Sequence, residues 1–460
     1  MAGLFNKKTS MKNSSISRRN FLDRAVKVGF AGAVAPAIIT GCSRKSNNKI
    51  DLPEFPDQAP DGPVLKAGLI GCGGRGSGAA INFLDAGPNL QIVALGDIFQ
   101  DRVDACRENI LKQRNLEVPI ENCFVGFDAY QKVIDAGVDI VLLCTPPYFR
   151  PEHLEAAIQA KKHVFAEKPA CVDPVGARSI MASGQKAKGM GLCIVAGTQR
   201  RHQRDYVATW KQIAEGAIGD INGGNIWWNG GKVWHRDPNP DWGEMEYMLR
   251  DWNNWTWLAG DHIVEQHVHN IDVMNWFTGN HPVKAVGFGS RLRRHTGDMY
   301  DNFSVDYEFE NGIHMHSMCR QIDGCVNNVS ERIQGSSGAT NCKNTIWDRD
   351  GNVVWEYKYP TDNEGKPGTN VSVPAMVQEH VNLVTAIRTD NPINEAENVA
   401  TSSLIAIMGR ISAYTGKETT YEEMLNSDLK LGPKVVDFDH VGYRKKVPLP
   451  GRAYIPEEKS

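Results

Sequence analysis

Three residues of this chain have types suited to moving a proton: Lys168, Glu265 and His269. Histidine is the side chain best matched to proton transfer near neutrality. Glu265 and His269 stand four apart in a stretch, His262 to Phe277, that reads as one helix. One helical face then carries both, and they can share a site or hydrogen-bond each other. Lys168 follows the short apolar run His163-Val164-Phe165-Ala166 and is held by Pro169. It either polarises a carbonyl as it forms or, if desolvated, serves as the base. The chemistry that suits the three is removal of a hydroxyl proton from a carbinol whose hydride is leaving. The plainer alternatives are a hydrogen-bonded core histidine and a surface lysine after a turn. His262 and His267 widen the cluster to a composition that suits zinc. However, His267 and His269, two apart on a helix, point to different sides, so no metal is expected.

A hydride needs an acceptor, and residues 64–97 supply the place for one. The apolar run Val64 to Ile70 leads directly into Gly71-Cys72-Gly73-Gly74-Arg75-Gly76. Ala79 to Leu84 then reads as a helix, and Leu90 to Asp97 as a second strand ending in an acid. Strand, glycine turn, helix, strand and an acid about 20 residues on is the dinucleotide-binding spacing. Gly71 allows the tight turn, Gly73 lets the backbone approach a pyrophosphate, and Gly76 lets helix pack on strand. The helix start, with Gly74 and Arg75, offers free N–H groups and a positive dipole end to the phosphates. Asp97 can accept hydrogen bonds from both ribose hydroxyls and would repel a 2′-phosphate, which favours NAD over NADP.

The surrounding elements must bring these pieces together. From Val64 to Thr198 strand and helix alternate, which implies a parallel sheet with helices on both faces. Asp139 to Cys144 is a continuous apolar run of the kind buried on both faces. Pro151 to Ala160 and Asp173 to Lys188 read as helices, and Leu192 to Gly197 as the last strand. Ligands of such sheets bind beyond the carboxyl ends of the strands. Thr145, Pro146, Glu167, Lys168 and Thr198 all lie at such ends, so they converge with the glycine turn on one crevice. From Gln199 the pattern changes to strands with polar alternation, at 220–228, 283–292, 304–309 and 313–320. The expected architecture is therefore α/β. A doubly wound parallel sheet (64–198) precedes an α+β domain (199–429) with a large, mostly antiparallel sheet, and a proline-rich tail (430–460) wraps the surface. The helix at 396–415 is expected to pack back toward the first domain.

At 460 residues, two domains are expected. A hydrophobic content of 41%, a charged content of 23% and a net charge of −3 fit a globular protein with no nucleic-acid partner. The ten cysteines show no paired C-x-x-C spacing, which argues against a zinc ribbon or a dense disulfide framework. Residues 1–42 read as an export signal. Arg18-Arg19 precede an apolar stretch, and Ile39-Thr40-Gly41-Cys42 has the form of a lipoprotein box with Cys42 as the acylated residue. Residues 43–63 read as a polar tether. The membrane is expected to be a partner only through this signal or lipid, and the protein to lie on the periplasmic side of the envelope.

The glycine motif, Ala166-Glu167-Lys168-Pro169 after a strand, and Glu265-Gln266-His267-Val268-His269-Asn270-Ile271-Asp272 in a later helix resemble the Gfo/Idh/MocA family. That family includes glucose–fructose oxidoreductase and inositol dehydrogenase. The resemblance covers roughly Lys66 to Lys417. It implies a Rossmann domain, a substrate domain with a large open sheet, a nicotinamide cofactor, frequent homo-oligomers, and a site lined by Lys168, Glu265 and His269. The family usually has Asp in place of Glu265 and Gly in place of His267, departures that bear on the proton-relay geometry. Arg200-Arg201-His202 resembles the family's substrate-side turn, and either binds substrate hydroxyls or forms structural ion pairs. Asp272 belongs to the same later motif and joins the substrate residues.

Seven of the eleven tryptophans fall between Trp227 and Trp257, among Asn, Asp and Gly. Such a stretch, with Trp234 at its middle, suits the apolar face and hydroxylated edge of a sugar, or else forms a satellite core under a long loop. The expected function is an exported oxidoreductase acting on a sugar, glycoside or cyclitol hydroxyl. Twin-arginine export carries folded proteins and the outer compartment lacks free NAD, so the cofactor is expected to stay bound and be recycled. A redox-neutral NAD-dependent glycosidase and a non-catalytic sugar-binding lipoprotein are the alternatives.

Overall fold

The computed structural model describes residues 55–361, 373–439, 443 and 446–451. The twin-arginine pair, Cys42 and the remainder of the expected signal lie outside these residues, as do residues 43–54 of the expected tether.

The first sheet is built from β1 (Leu65–Ile70), α1 (Gly74–Leu84), β2 (Leu90–Asp97), α2 (Gln100–Arg114), β3 (Cys123–Val125), α3 (Ala129–Asp135), β4 (Ile140–Leu143), α4 (Arg150–Gln159), β5 (His163–Ala166), α5 (Pro174–Gly189) and β6 (Ile194–Ala196). Its order is β3-β2-β1-β4-β5-β6, with every pairing parallel. The order reverses between β1 and β4, the switch point where such sheets take ligands. All four residues of β4 are buried, because helices cover both faces.

The chain continues through α6 (Arg204–Ala214), β7 (Ile221–Gly230), α7 (Glu244–Arg250), α8 (Thr256–Ala259), α9 (His262–Glu265) and α10 (Val268–Thr278). Next come β8 (Pro282–Ser290), β9 (Asn302–Phe309), β10 (His314–Gln321), β11 (Asn328–Gly335), β12 (Gly338–Thr340), β13 (Thr345–Asp348) and β14 (Val353–Glu356). The last elements are α11 (Ala375–Arg388), α12 (Ala396–Thr415), β15 (Thr419–Thr420) and α13 (Tyr421–Asn426). Nine strands form the second sheet in the order β14-β13-β12-β11-β7-β10-β9-β8-β15. Only β7 and β10 pair in parallel, which brings their carboxyl ends to one edge. Along β9 and β10 alternate residues are buried, so one face packs on helices and the other does not.

Helix α12 belongs to both cores. Ala396, Val399 and Ala400 pack with Ile180 and Ile194 of the parallel sheet layer. Leu404 to Ile407, Met408 and Tyr414 pack with Val305, Tyr307 and Met315 of the second sheet. Helix α11 returns as well, placing Val381 and Val384 with Leu69 and Phe83.

Two expectations are corrected. Residues 55–63 do not hang free. Arg388 donates to the carbonyls of Pro60 and Pro63, and the buried Ala59 donates its N–H to Ala86 O at 2.8 Å. The stretch His262 to Phe277 is not one helix, for a reason that shapes the site.

Candidate active site

The glycine turn lies between β1 and α1 at the switch point. Gly71 has φ +94°, a left-handed conformation open to glycine, and a Cβ there would stand 2.7 Å from Thr145 N. A Cβ on Gly76 would stand 1.8 Å from Gly71 O, so no larger residue fits where helix meets turn. At Gly73 and Gly74 a Cβ would meet nothing within 4 Å. The backbone is thus bare toward the crevice, as close approach of a pyrophosphate requires. Asp97, at the end of β2, accepts from Cys72 N at 2.7 Å and from Phe99 N at 3.1 Å. Burial raises its pKa, and these N–H groups oppose the rise. An ionised carboxylate has about four acceptor positions, so not all are used and ribose hydroxyls can still bond it. Turn, helix start and acid together fit a dinucleotide. Thr145 and Pro146 border the turn at the end of β4, half-buried, with Thr145 Oγ1 3.3 Å from His153 Nδ1.

Two of the expected cofactor residues are spent on each other. Arg75 Nε donates to Glu167 Oε1 at 2.5 Å, and its guanidinium also lies 3.7 Å from the buried Glu379. Glu167 Oε2 accepts from Lys168 N at 3.1 Å. This pair ties the start of α1 to the turn after β5, and so sets where Lys168 stands.

Lys168 precedes a cis Pro169. Its Nζ donates to Glu265 O at 2.5 Å and to Glu265 Oε1 at 3.2 Å. The main-chain acceptor is free because the helix slips. Gln266 and His267 N–H both bond His262 O, while His269 N–H turns to Gln266 O. Helix α9 therefore ends at Glu265, and its carbonyl receives lysine instead of the amide four residues on. Such slips in the helical ladder recur at functional sites. The expectation that Glu265 and His269 share one helical face is thereby corrected: they sit on α9 and α10, and it is Lys168 that hydrogen-bonds Glu265.

His269 stacks on Trp228 of β7, with ring centroids 5.5 Å apart and planes at 19°. Its Nδ1 is buried without a hydrogen-bond partner. Burial, and then the nearby charges of Lys168 and Arg200, hold the imidazole pKa well below its ordinary value. The charged form of the ring is thereby disfavoured. His267 points elsewhere, its Nε2 2.7 Å from Ser317 Oγ, and burial brings its pKa to about 3. His262 Nε2 lies 3.3 Å from Trp228 O. Among the described residues no three His, Cys, Asp or Glu side chains form a metal-holding group.

Most of the expected substrate residues turn inward. Arg201 makes a two-point ion pair with Asp272 at 2.8 and 3.0 Å, and Ser402 Oγ also donates to that carboxylate. His202 lies between Glu395 at 3.3 Å and Asn382 at 2.8 Å. Arg200 donates to Glu331 at 2.6 Å, while its guanidinium lies 5.8 Å from the Trp228 ring centre. A buried group left unpaired is costly, so these pairs satisfy charges that packing buries in the second domain.

The tryptophan stretch also divides. Trp255 and Trp257 are buried, and Trp242 and Trp252 pack against them, in a core shared with Phe99, Tyr148 and Leu431. That is the satellite core, and it closes the junction between the domains. Trp228 faces His269, and Trp234 is 46% exposed. The residues that sequence reasoning passed over are Gln266, Gln321 and Arg294. Gln321 Nε2 donates to Gln266 Oε1 at 3.1 Å, and Arg294 donates to both Gln321 and Asn254 Oδ1. No local motif marks them, because strand ends and a loop bring them in.

Comparison with known proteins agrees with this architecture. Residues 65–195 match the model of the Gfo/Idh/MocA oxidoreductase family, NAD-binding Rossmann fold, and residues 206–340 match a Gfo/Idh/MocA C-terminal domain. An inositol 2-dehydrogenase of Paracoccus denitrificans is 30% identical over 224 residues, 48% of this chain and 56% of that protein. One of Rhizobium meliloti is 25% identical over 286 residues, 61% of this chain and 76% of that protein. The chain thus spans little more than half the length of the first of these relatives. Among solved structures, a scyllo-inositol dehydrogenase of Lactobacillus casei with NAD(H) and scyllo-inositol has a TM-score of 0.57 at 18% identity, covering 78% of this chain and 99% of its own. A levoglucosan dehydrogenase with NADH and levoglucosan has a TM-score of 0.60 at 18% identity, with the same coverage.

Proposed function

The chain belongs to the Gfo/Idh/MocA oxidoreductase family, and from that premise we propose that it oxidises a secondary hydroxyl of a sugar or cyclitol with NAD. The observations that support the reading are the double anchoring of Lys168 on Glu265, its tie through Glu167 and Arg75 to the start of α1, and the buried His269 stacked on Trp228. NAD, when bound, supplies the hydride acceptor. The protein's residues do the rest. His269 takes the hydroxyl proton, and the Trp228 face behind it fixes the plane of the ring. Lys168, anchored twice by Glu265, directs its remaining N–H at the same oxygen and stabilises the negative charge that develops there. The satellite tryptophan core keeps water from the junction. Relatives named as inositol dehydrogenases make a cyclitol or pyranose the substrate class of choice.

The sequence features outside the described residues support a further part of the reading. The protein is exported with its cofactor, anchored through Cys42, and recycles the hydride between a donor and an acceptor in the same site. The uncovered face of the nine-stranded sheet, with Trp227, Met318 and Phe288 in register across it, seats a second copy of the chain. The deciding experiment records the reduced-nicotinamide absorbance of purified protein while cyclitols and sugars are added singly. Reduction without added NAD supports the reading; failure of every polyol to reduce NAD, bound or supplied, rejects it.

A further inference from the structure

Beyond the carboxyl ends of β7 and β10 the molecule holds a cavity of about 170 Å³. It is lined by Lys232, His235, Arg293, Arg294 and His295, with Asp323 as the only carboxylate in the lining. The volume has room for several waters. That suits one charged substituent and part of its ring, not an extended chain.

The cations are unevenly compensated. Asp323 turns to Lys232, accepting from its N–H at 2.8 Å and standing 3.9 Å from its Nζ. Asp301, which lies outside the lining, accepts the backbone N–H groups of Leu292, Arg293 and Arg294. Asp261 is buried and receives Tyr300 N and Tyr414 Oη. Asp261 and Asp301 lower the net charge around Arg294, whereas among the described residues no carboxylate stands within ion-pair distance of the exposed Arg293. Arg294 is a built part of the site. Three of its five donors are fixed, by Tyr300 O, Asn254 Oδ1 and Gln321 Oε1, which holds the guanidinium plane in the cavity wall. Fixed guanidinium forks match the geometry of carboxylate and other oxyanions. The wall is also continuous with the catalytic cluster, because Gln321 donates to Gln266, the residue after Glu265. Trp234, between the lining residues Val233 and His235, is 46% exposed with the Arg236 guanidinium 5.9 Å from its ring centre, and the His235 and His295 rings lie 5.3 Å apart, tilted by 30°.

We propose that this cavity is the subsite for an oxyanion carried by the substrate, so that the preferred substrate is an anionic saccharide, with its ring on Trp234 and its charged group on Arg293 and Arg294. The inference rests on the sugar or cyclitol reading above and narrows it. The shared chemistry is a pyranose bearing a carboxylate or a phosphate ester.

The test uses NAD-loaded protein and two readouts, calorimetric binding and nicotinamide reduction. The probes are glucuronate, glucose 6-phosphate and glucose. The expected result is at least tenfold tighter binding of one anionic sugar than of glucose, weakening as salt is raised. The arm that wins, uronate or phosphate ester, identifies the oxyanion. Arg293→Gln and Lys232→Gln, both at exposed positions, should each cost the anionic sugar more affinity than they cost glucose, on the order of fivefold to tenfold. Equal binding of all three sugars, or variants that leave the anionic preference intact, overturns the subsite while the oxidoreductase reading stands. Anionic preference in binding with no nicotinamide reduction keeps the subsite and overturns the reaction.

Discussion

His269 is buried, and its imidazole pKa is held well below the ordinary histidine value, first by burial and then by the charges of Lys168 and Arg200. The same environment makes its neighbours sensitive to pH. Burial pushes the pKa of His262, His267 and His269 down in the folded protein. In the unfolded chain each returns to about 6.5. Below that value the unfolded state binds more protons than the native state, so stability is full above about pH 6.5 and is lost as pH falls. Urea midpoints should therefore drop between about pH 7 and pH 5, and replacing His267 by Gln should flatten the decline. A midpoint that is level across that range would show that these rings are not held neutral. Lys168→Ala and His269→Ala should each lower turnover by ~10² or more, with the fold and NAD content intact. Near-normal turnover in a folded, loaded variant removes that residue from the mechanism. Asp97→Ala should weaken NAD retention twice over, because it removes the ribose acceptor and releases Cys72 N. Unchanged NAD affinity, and unchanged preference over NADP, would contradict the assignment.

At the scale of single elements, the local signals in the sequence were the legible ones. The glycine turn and Asp97 are read from spacing within one supersecondary unit, and Lys168 from the strand that precedes it. The slip between α9 and α10 was not legible, because residues 262–277 keep helical composition throughout. What ends the helix there is competition for the Glu265 carbonyl by a lysine 97 residues earlier. The two readings of the tryptophans could not be told apart in the sequence for a similar reason. Their type announces a large apolar contact, but their partners Phe99, Tyr148 and Leu431 come from distant segments. For Arg201 the ion-pair alternative is the one packing realises, with Asp272, on a distant helix, as its partner. Two outcomes belong to this scale. Gly76→Ala must displace Gly71 O or the start of α1, and should abolish NAD binding measured by calorimetry while much of the helical circular dichroism remains. Trp257→Ala removes a fully buried ring at the domain junction and should cost about 3–5 kcal/mol in chemical denaturation. A cost below about 1 kcal/mol would mean that the satellite core is not cooperative with the rest.

For the molecule as a whole, the second sheet presents its outer face as a row in which Met318 lies beside Trp227 and across from Ser304, with Phe288, 72% exposed, beyond it. Sedimentation at micromolar concentration should report a dimer or tetramer, and Phe288→Glu should shift it toward monomer. A monomeric wild-type protein would leave that face without the proposed partner.

Helix α12 carries a different lesson about this architecture. Its first turns complete the layer over the parallel sheet, and its later turns fill the second core. The nucleotide-binding half is therefore not a transplantable module, although its strands are contiguous in the gene. A fragment ending near residue 198 would leave bare the apolar stripe that Ala396, Val399, Val381 and Val384 normally cover. A chimera exchanging cofactor specificity with a relative would have to carry both late helices with the early strands, and the natural units of exchange in this chain are interleaved segments.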